Sequence, residues 1–319
     1  DDKDSGSGGD KKVEFDWWNI QITEPGKTVF ENLAKAYMDA HPNVKINIQA
    51  LENEAFKSKL TTNVQAGNPP DLFHSWGGGV LAQQAEAGAV KDITADVADW
   101  IGNLNPHGAK IYQVDGKQYG APFDLGMVGF WYNKELFSKA GISAPPATWT
   151  EYLEDVKKLK AAGITPIALA GAEAWTGMYY WAYLALRIAG VDGVKAAGGS
   201  GAWDGPDFVA AGARLKELID LDPFQKGFLG AKYSANDGQA AIMGNGQAAM
   251  ELMGQWAPPT EEAYSTSKKG IGDKLGFFPF PAVEGGKGDL KDAFGGGNGF
   301  AVGKNAPKEG GDFLKFLLT

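Results

Sequence analysis

From the first hydrophobic position onward, apolar and polar residues alternate. Val13-Glu14-Phe15-Asp16-Trp17 has the period-two pattern of a strand. Thr28-x-x-Glu31 has the spacing of a capping box, and Phe30, Leu33, Ala34, Tyr37 and Met38 share one helical face. Pro42 ends that helix, and Val44-Lys45-Ile46-Asn47-Ile48 alternates again. Phe56, Leu60 and Val64 mark a second helix closed by Gly67 and Pro69-Pro70, before a short third strand over Asp71–Ser75. The order β-α-β-α-β predicts right-handed crossovers and a parallel sheet, whose ligands gather beyond the carboxyl ends of the strands. Those ends carry Trp17-Trp18-Asn19, Leu51-Glu52-Asn53-Glu54 and Trp76-Gly77-Gly78-Gly79. Asp71, after Pro70, reads as a structural strand-entry residue.

A second set of elements begins near residue 126. Val128–Tyr132 reads as a strand and Lys134–Ala140 as a short helix. Thr148-x-x-Glu151 caps a helix whose apolar face is Tyr152, Leu153, Val156 and Leu159. Thr165–Ala170 reads as a buried strand, and helices are expected near 176–189 and 207–220. Ala248–Met253 and Leu275–Phe280 are further expected strands. No repeat of 20–50 residues is visible, which argues against a solenoid.

Composition narrows the function classes. The 319 residues carry 30 Lys and Arg against 39 Asp and Glu, a net charge of −9 that is unfavourable for nucleic acid or an anionic membrane face. No apolar run reaches the roughly 18 residues of a transmembrane helix. Cysteine is absent, so there are no disulfides, thiolate metal sites or cysteine nucleophiles. Enzyme signatures such as G-x-G-x-x-G, G-x-S-x-G and H-E-x-x-H are missing, so no catalytic residue is assigned and no cofactor is expected. His41, His74 and His107 are isolated from one another in sequence, so no metal site is expected; His74, in the third strand, reads as structural, with a bond to a ligand hydroxyl as the competing role. Residues 1–12, DDKDSGSGGDKK, have no apolar side chain. They are expected to be either a flexible tether that holds the folded body at a surface or an ordinary terminal extension.

Five motifs in order carry a family resemblance: Pro70-Asp71-Leu72-Phe73, Gly120-Ala121-Pro122-Phe123, Trp131-Tyr132-Asn133-Lys134-Glu135-Leu136-Phe137, Pro146-x-Thr148-Trp149 and Phe313-Leu314-Lys315-Phe316-Leu317. Over about 13–319 the chain resembles the extracellular solute-binding proteins of carbohydrate ABC importers, the maltodextrin-binding-protein relatives, and among them actinobacterial oligosaccharide-binding lipoproteins. The resemblance implies an α/β fold of two lobes, the periplasmic-binding-protein (Venus flytrap) architecture, with a hinge and a central sugar cleft. It implies lobe one over 13–125 and 275–319 and lobe two over 126–274, with crossings near Phe123–Gly126 and Phe277–Pro281. It also implies an extracellular monomer, held at the outer face of the membrane by a lipidated Cys upstream of residues 1–12, that delivers its ligand to the permease subunits of an ABC importer. Family members run on for several tens of residues after Leu317-Leu318-Thr319 with further lobe-two helices, so the sequence in hand is expected to be a truncated form.

A pyranose presents C–H faces to flat aromatic rings and a rim of hydroxyls to carboxylates and amides. Trp18, Trp76, Trp175 and Trp256 stand beside turns and are the candidate platforms, each with core packing as the competing role. Trp17 and Trp131, inside strands, read as core. Asn19, Asn53, Glu54, Phe123 and Asp124 lie at strand ends or near the expected crossing. By family position Asp124 and Glu173 match rim-binding carboxylates, and an aromatic at the place of Trp256 stacks on a sugar ring. Gly297 and Asn298, in the run Gly295–Gly299, are expected where backbone approaches ligand. The number of Trp and the resemblance favour a short β-linked xylo- or cello-type oligosaccharide. The rival classes are a carbohydrate-active hydrolase, which needs only two suitably spaced carboxylates, and a sugar-sensing surface receptor.

Overall fold

The computed structural model describes residues 10–319. Except for 10–12, the expected tether lies outside the described residues. In chain order the elements are β1 (Val13–Asn19), α1 (Gly26–Ala40), β2 (Val44–Ala50), α2 (Asn53–Gln65), β3 (Leu72–Ser75), α3 (Gly78–Glu86) and β4 (Gly120–Pro122). There follow β5 (Gly129–Asn133), α4 (Lys134–Lys139), α5 (Trp149–Ala161), α6 (Ala174–Ser200), α7 (Pro206–Ile219), α8 (Gln239–Gly244) and β6 (Met250–Met253). The last are α9 (Ala257–Tyr264), β7 (Leu275–Phe278), β8 (Gly299–Val302) and α10 (Lys308–Leu318). The chain divides into two compact units, one ending at Leu125 and resuming over Gly296–Thr319, the other Gly126–Gly295.

The first unit is built on a five-stranded sheet of order β2-β1-β3-β8-β4. β1 runs parallel to β2 and β3, as the β-α-β-α-β order implies, and the returning β8 is antiparallel to both β3 and β4. Alternation along β1 sends Phe15 and Trp17 to one face and Trp18 to the other. The first face is covered by α1 and α10, with the Phe313 ring 5.9 Å from Phe15 and 5.1 Å from Trp17. The second packs Trp18, Phe56, Leu60, Phe73 and Tyr112. One expectation at α1 is overturned. Thr28 lies inside the helix, whose N-cap is Pro25, and its N–H and Oγ1 are bonded to Glu24 at 3.2 and 2.7 Å. The carboxylate four residues upstream does the work assigned to the capping box.

The second unit holds a three-stranded antiparallel sheet of order β6-β5-β7. Its core is an aromatic stack: Phe280 is 4.8 Å from Tyr183, 5.6 Å from Phe130 and 5.6 Å from Trp149, with interplanar angles of 4°, 26° and 16°. Thr148 caps α5 by accepting the Glu151 N–H, as its spacing predicts. The segment 165–170 is buried but is not a strand. Ile167 alone forms bridges, to Phe224 and Met250. Pro166 has no N–H to give, and the N–H groups of Leu169 and Ala170 go to side-chain oxygens of Gln225 and Gln239, both at 2.8 Å. The helix expected near 176–189 extends through Gly190, where φ 73° and ψ 171° break it, and continues to Ser200.

Residues 275–295, expected in the first lobe, belong to the second unit, so the return crossing falls at 295/296 and not near Phe277–Pro281. β7 pairs with β5, and the segment after it is pinned by Arg187 of α6. This buried guanidinium donates to the carbonyls of Phe280 (3.0 Å), Asp289 (3.1 Å) and Asp292 (2.6 Å). The Tyr183 hydroxyl adds bonds to the carbonyls of Val128 and Phe294.

Candidate functional site

Two groups of candidate residues emerge, one in each unit. In the first unit the polar group is organised by β3, by the turn after β4 and by the residues leading into β8. Asp124 and Asn298 clamp each other. The Asp124 carboxylate accepts the Asn298 backbone N–H at 2.8 Å and its Nδ2 at 3.1 and 3.0 Å, while the Asn298 carbonyl accepts the N–H groups of Phe123 and Asp124. A carboxylate only accepts, so the Asn298 amide is fixed with Nδ2 toward Asp124 and Oδ1 turned to His74 Nε2 at 3.2 Å. Nε2 therefore carries the imidazole proton and Nδ1 is a bare acceptor. Burial holds this ring neutral, lowering its pKa to about 3 against the opposing bond from Asn298, with Lys57 lowering it further.

His74 Nδ1 and Asn19 Nδ2 are both buried and neither meets a partner among the described residues, whereas Asn19 Oδ1 accepts the Gln21 N–H at 2.9 Å. β1 and β3 are in register at Trp17–Leu72 and Trp18–Phe73, so Asn19 and His74 are the next residues of the two parallel strands at their carboxyl ends. One group is a spare donor and the other a spare acceptor. Rings flank the imidazole: Trp76 lies 4.5 Å and Phe123 6.0 Å from it, and Phe123 stacks on Phe300 at 5.2 Å and 26°. Trp76 and Phe123 are half-buried, and Lys57 Nζ lies 5.2 Å from the Trp76 ring.

Other candidates have local roles. Trp18, 6% exposed, is a core residue with Lys59 Nζ 4.5 Å from its ring, so it is no open platform. Asn53 and Glu54 are not in a loop but in the first turn of α2, which Glu52 caps by accepting the Glu54 and Ala55 N–H groups. There Glu54 meets Asn53 at 3.3 Å and Lys57 at 3.5 Å. Asp71 accepts the Asp16 N–H at 2.9 Å, the structural task read for it. Within the glycine run only Gly296 faces open space; at the other glycines the chain itself fills it. A Cβ on Gly295 would meet the Gly126 carbonyl, on Gly297 the Ile111 side chain, and on Gly299 the Ala121 carbonyl. The sequence left His74 between a structural role and a bond to a ligand hydroxyl, and its hydrogen-bonding state became visible only with Asn298 beside it.

The second unit contributes an aromatic group. The Trp175 ring lies 6.4 Å from Trp256 at 52°, 5.4 Å from Tyr233 and 5.8 Å from Tyr179. Trp256 occupies the N-cap position of α9 and is half-buried. Its indole covers Gly254, where an added Cβ would lie 2.2 Å from the ring. Glu173 is the buried N-cap residue of α6, but its side chain does not cap. The Thr176 hydroxyl bonds the carbonyls of Ala170 and Glu173 instead, at 2.8 and 2.9 Å. Among the described residues no group of three or more His, Asp or Glu side chains is placed to hold a metal ion. Neutral amides, an unprotonated imidazole nitrogen and half-buried aromatic rings suit an uncharged, hydroxyl-rich ligand.

The chain is 26% identical to the multiple sugar-binding protein of Streptococcus mutans over 317 residues, 97% of this chain and 71% of that protein. Putative binding proteins of Brucella are 31% identical over 60% of this chain and 46% of theirs, so the chain spans between about half and seven-tenths of these curated relatives. Among solved structures, one concerned with xylan utilization by Caldanaerobius polysaccharolyticus is 30% identical with a TM-score of 0.88, covering 96% of this chain and 78% of that one. A chitin oligosaccharide binding protein is 28% identical with a TM-score of 0.82, covering 97% and 77%. The Streptococcus and Brucella relatives and the chitin oligosaccharide protein are named as binding proteins, and the chain shares the α/β fold of both solved structures. The model of the bacterial extracellular solute-binding protein family matches residues 21–319, and the chain belongs to that family.

Proposed function

We propose that this chain binds a short β-linked oligosaccharide of the xylo or cello type outside the cytoplasm and passes it to the permease subunits of an ABC importer. The observation that carries the reading is the pair of buried groups, unpartnered among the described residues, at the carboxyl ends of β1 and β3. A sugar hydroxyl both donates and accepts, so it can satisfy His74 Nδ1 and Asn19 Nδ2, and a ligand lacking it leaves both unmet. Trp76 and Phe123 in the first unit, and Trp175 and Trp256 in the second, are the ring faces proposed for stacking. Asp124 and Asn298 hold the polar group in place. The names of the relatives support sugars as the ligand class, and the likeness to a protein concerned with xylan utilization supports the β-linked choice. Among the described residues no helix is long and apolar enough to cross a membrane, which agrees with an extracellular or periplasmic setting.

Calorimetric titration tests this with xylo- and cello-oligosaccharides of two to four sugars, against chitobiose, raffinose and maltotriose. Saturable binding of a xylo- or cello-oligomer, returned intact after long incubation, is expected. Preferential binding of another member of the panel would overturn the β-linked choice, and heat from none of them would overturn the sugar. Release of shorter sugars would move the chain to the hydrolases.

A further inference from the structure

Glu251 and Glu261 form a buried carboxyl pair in the second unit that no part of the proposed sugar site uses. They are 0% and 1% exposed, one on β6 and one on α9, five residues before and five after Trp256. Their carboxyls lie within reach of one another, and Oε1 of each is buried with no donor beside it among the described residues. Two ionised carboxylates have only acceptors, so a bond between them requires a proton. The neighbouring amide does not relieve the charge. Gln239 of α8 accepts the Ala170 N–H on Oε1, which turns its Nε2 to Glu251 Oε2 at 2.8 Å as a neutral donor. No amide, hydroxyl or cation of the described residues reaches Oε1 of either glutamate.

The groups packed around the pair supply no compensating positive charge. Tyr180 of α6 faces Glu251 and Tyr233 faces both glutamates, each with a buried hydroxyl that meets no partner among the described residues, and Glu262 adds a like charge beside Glu261. Lys134 and Lys269, with Glu262 and Asp273, line a cavity of about 610 Å³ that Glu261 also borders, but neither lysine pairs with it. An unpaired carboxylate buried here would be strongly disfavoured.

We propose that Glu251 and Glu261 share one proton at neutral pH and act as a pH-sensitive latch that holds α9, and the turn bearing Trp256, against β6. Burial raises the proton affinity of both glutamates, and Glu251 raises that of Glu261 further, whereas the bonds from Glu261 and Gln239 favour the ionised form of Glu251; the shared proton therefore sits on Glu261. The unfolded chain releases the proton at its ordinary pKa while the fold retains it. The latch is therefore fully stabilising below that value, and its contribution falls as pH rises toward the pair's own titration. The inference concerns the fold of one unit and stands whether or not the ligand is a sugar.

Thermal melts of the whole chain at about pH 5, 7 and 9 test it, comparing the native protein with Glu261→Gln, Glu251→Gln and the neighbouring control Glu262→Gln. An amide at 261 still donates to Glu251 but has no proton to lose. Glu261→Gln is expected to remove the pair's share of the fall in Tm with rising pH, and Glu262→Gln, which takes away only a neighbouring like charge, to leave most of it in place. A native slope retained in Glu261→Gln overturns the latch. Should the latch variants not fold, carbon NMR of the native chain labelled at its glutamate carboxyls decides alone. One glutamate that stays protonated through neutral pH is expected, and all of them ionising in the ordinary range overturns the proposal.

Discussion

Trp256 lies across its own turn, with the indole in the space that Gly254 leaves free and one edge toward Trp175. A side chain so placed is half core and half surface, and the two roles have different signatures. Trp256→Ala is expected to lower the affinity for the best oligosaccharide by about 1–3 kcal/mol, by analogy with stacking of bases on aromatic side chains. Its cost in ligand-free stability should stay below the roughly 3–5 kcal/mol of a fully buried aromatic cut to Ala. One titration and one melt check this, and a large loss of stability with affinity intact would return Trp256 to the core. The neighbouring candidates divide for the same reason of placement. Trp76 stays half-buried, with Lys57 Nζ 5.2 Å from its ring, whereas Trp18, one strand residue from Trp17, is turned by the pleat into the opposite core.

At the scale of elements, α6 and the segment after β7 depend on each other through Arg187. Its fork collects three carbonyls of a stretch with no regular structure, which is how residues 280–292 are kept on the second unit. Lysine keeps the charge but cannot reproduce the fork. Arg187→Lys should cost about 2–3 kcal/mol, since bonds to a charged group are the strong ones. Denaturant unfolding measures the loss, and hydrogen exchange should place the loosening within 280–294; an unchanged midpoint would show the carbonyls to be indifferent to the fork. The break at Gly190 serves the same packing. Its φ of 73° and ψ of 171° suit glycine almost alone, and the backbone of Lys287 lies 3.5 Å from where a Cβ would stand.

Across the whole molecule, the two units carry opposite pH liabilities. His74 in the first unit is buried and neutral, with its pKa lowered to about 3 chiefly by burial. Its depressed value means that stability is present above the ordinary histidine pKa and is lost as pH falls toward 3, by at most about 1.4 kcal/mol per pH unit. The Glu251–Glu261 pair in the second unit has the opposite sign, losing stability as pH rises. Acid is therefore expected to loosen the first unit before the second, and alkali the second before the first. Hydrogen exchange at about pH 4, 7 and 9, corrected for the intrinsic pH dependence of amide exchange, reads the two separately. His74→Gln should remove much of the acid effect in the first unit alone, and a uniform response of both units would contradict the assignment.

Periodicity alone located β1, β2 and β3 and most helices, though not β4 or β8, because each element it located buries one face and that face is written in the spacing of Phe15 and Trp17, or of Phe56 and Leu60. The parallel run of β1, β2 and β3 followed from element order, and five short motifs pointed to the solute-binding family. Tertiary structure decided what depends on partners distant in sequence. Asn298 meets His74 and Asp124 from 224 and 174 residues away, and only that meeting assigns the histidine tautomer. The segment 165–170 has a strand's composition, yet glutamines from 225 and 239 take the N–H groups a ladder would have used. Residues 275–295 joined the second unit because β5 offered an edge and Arg187 a donor fork, neither of which leaves a local trace. Local pattern fixes which face of an element is apolar; long-range hydrogen bonds decide which polar groups are left free to receive a ligand.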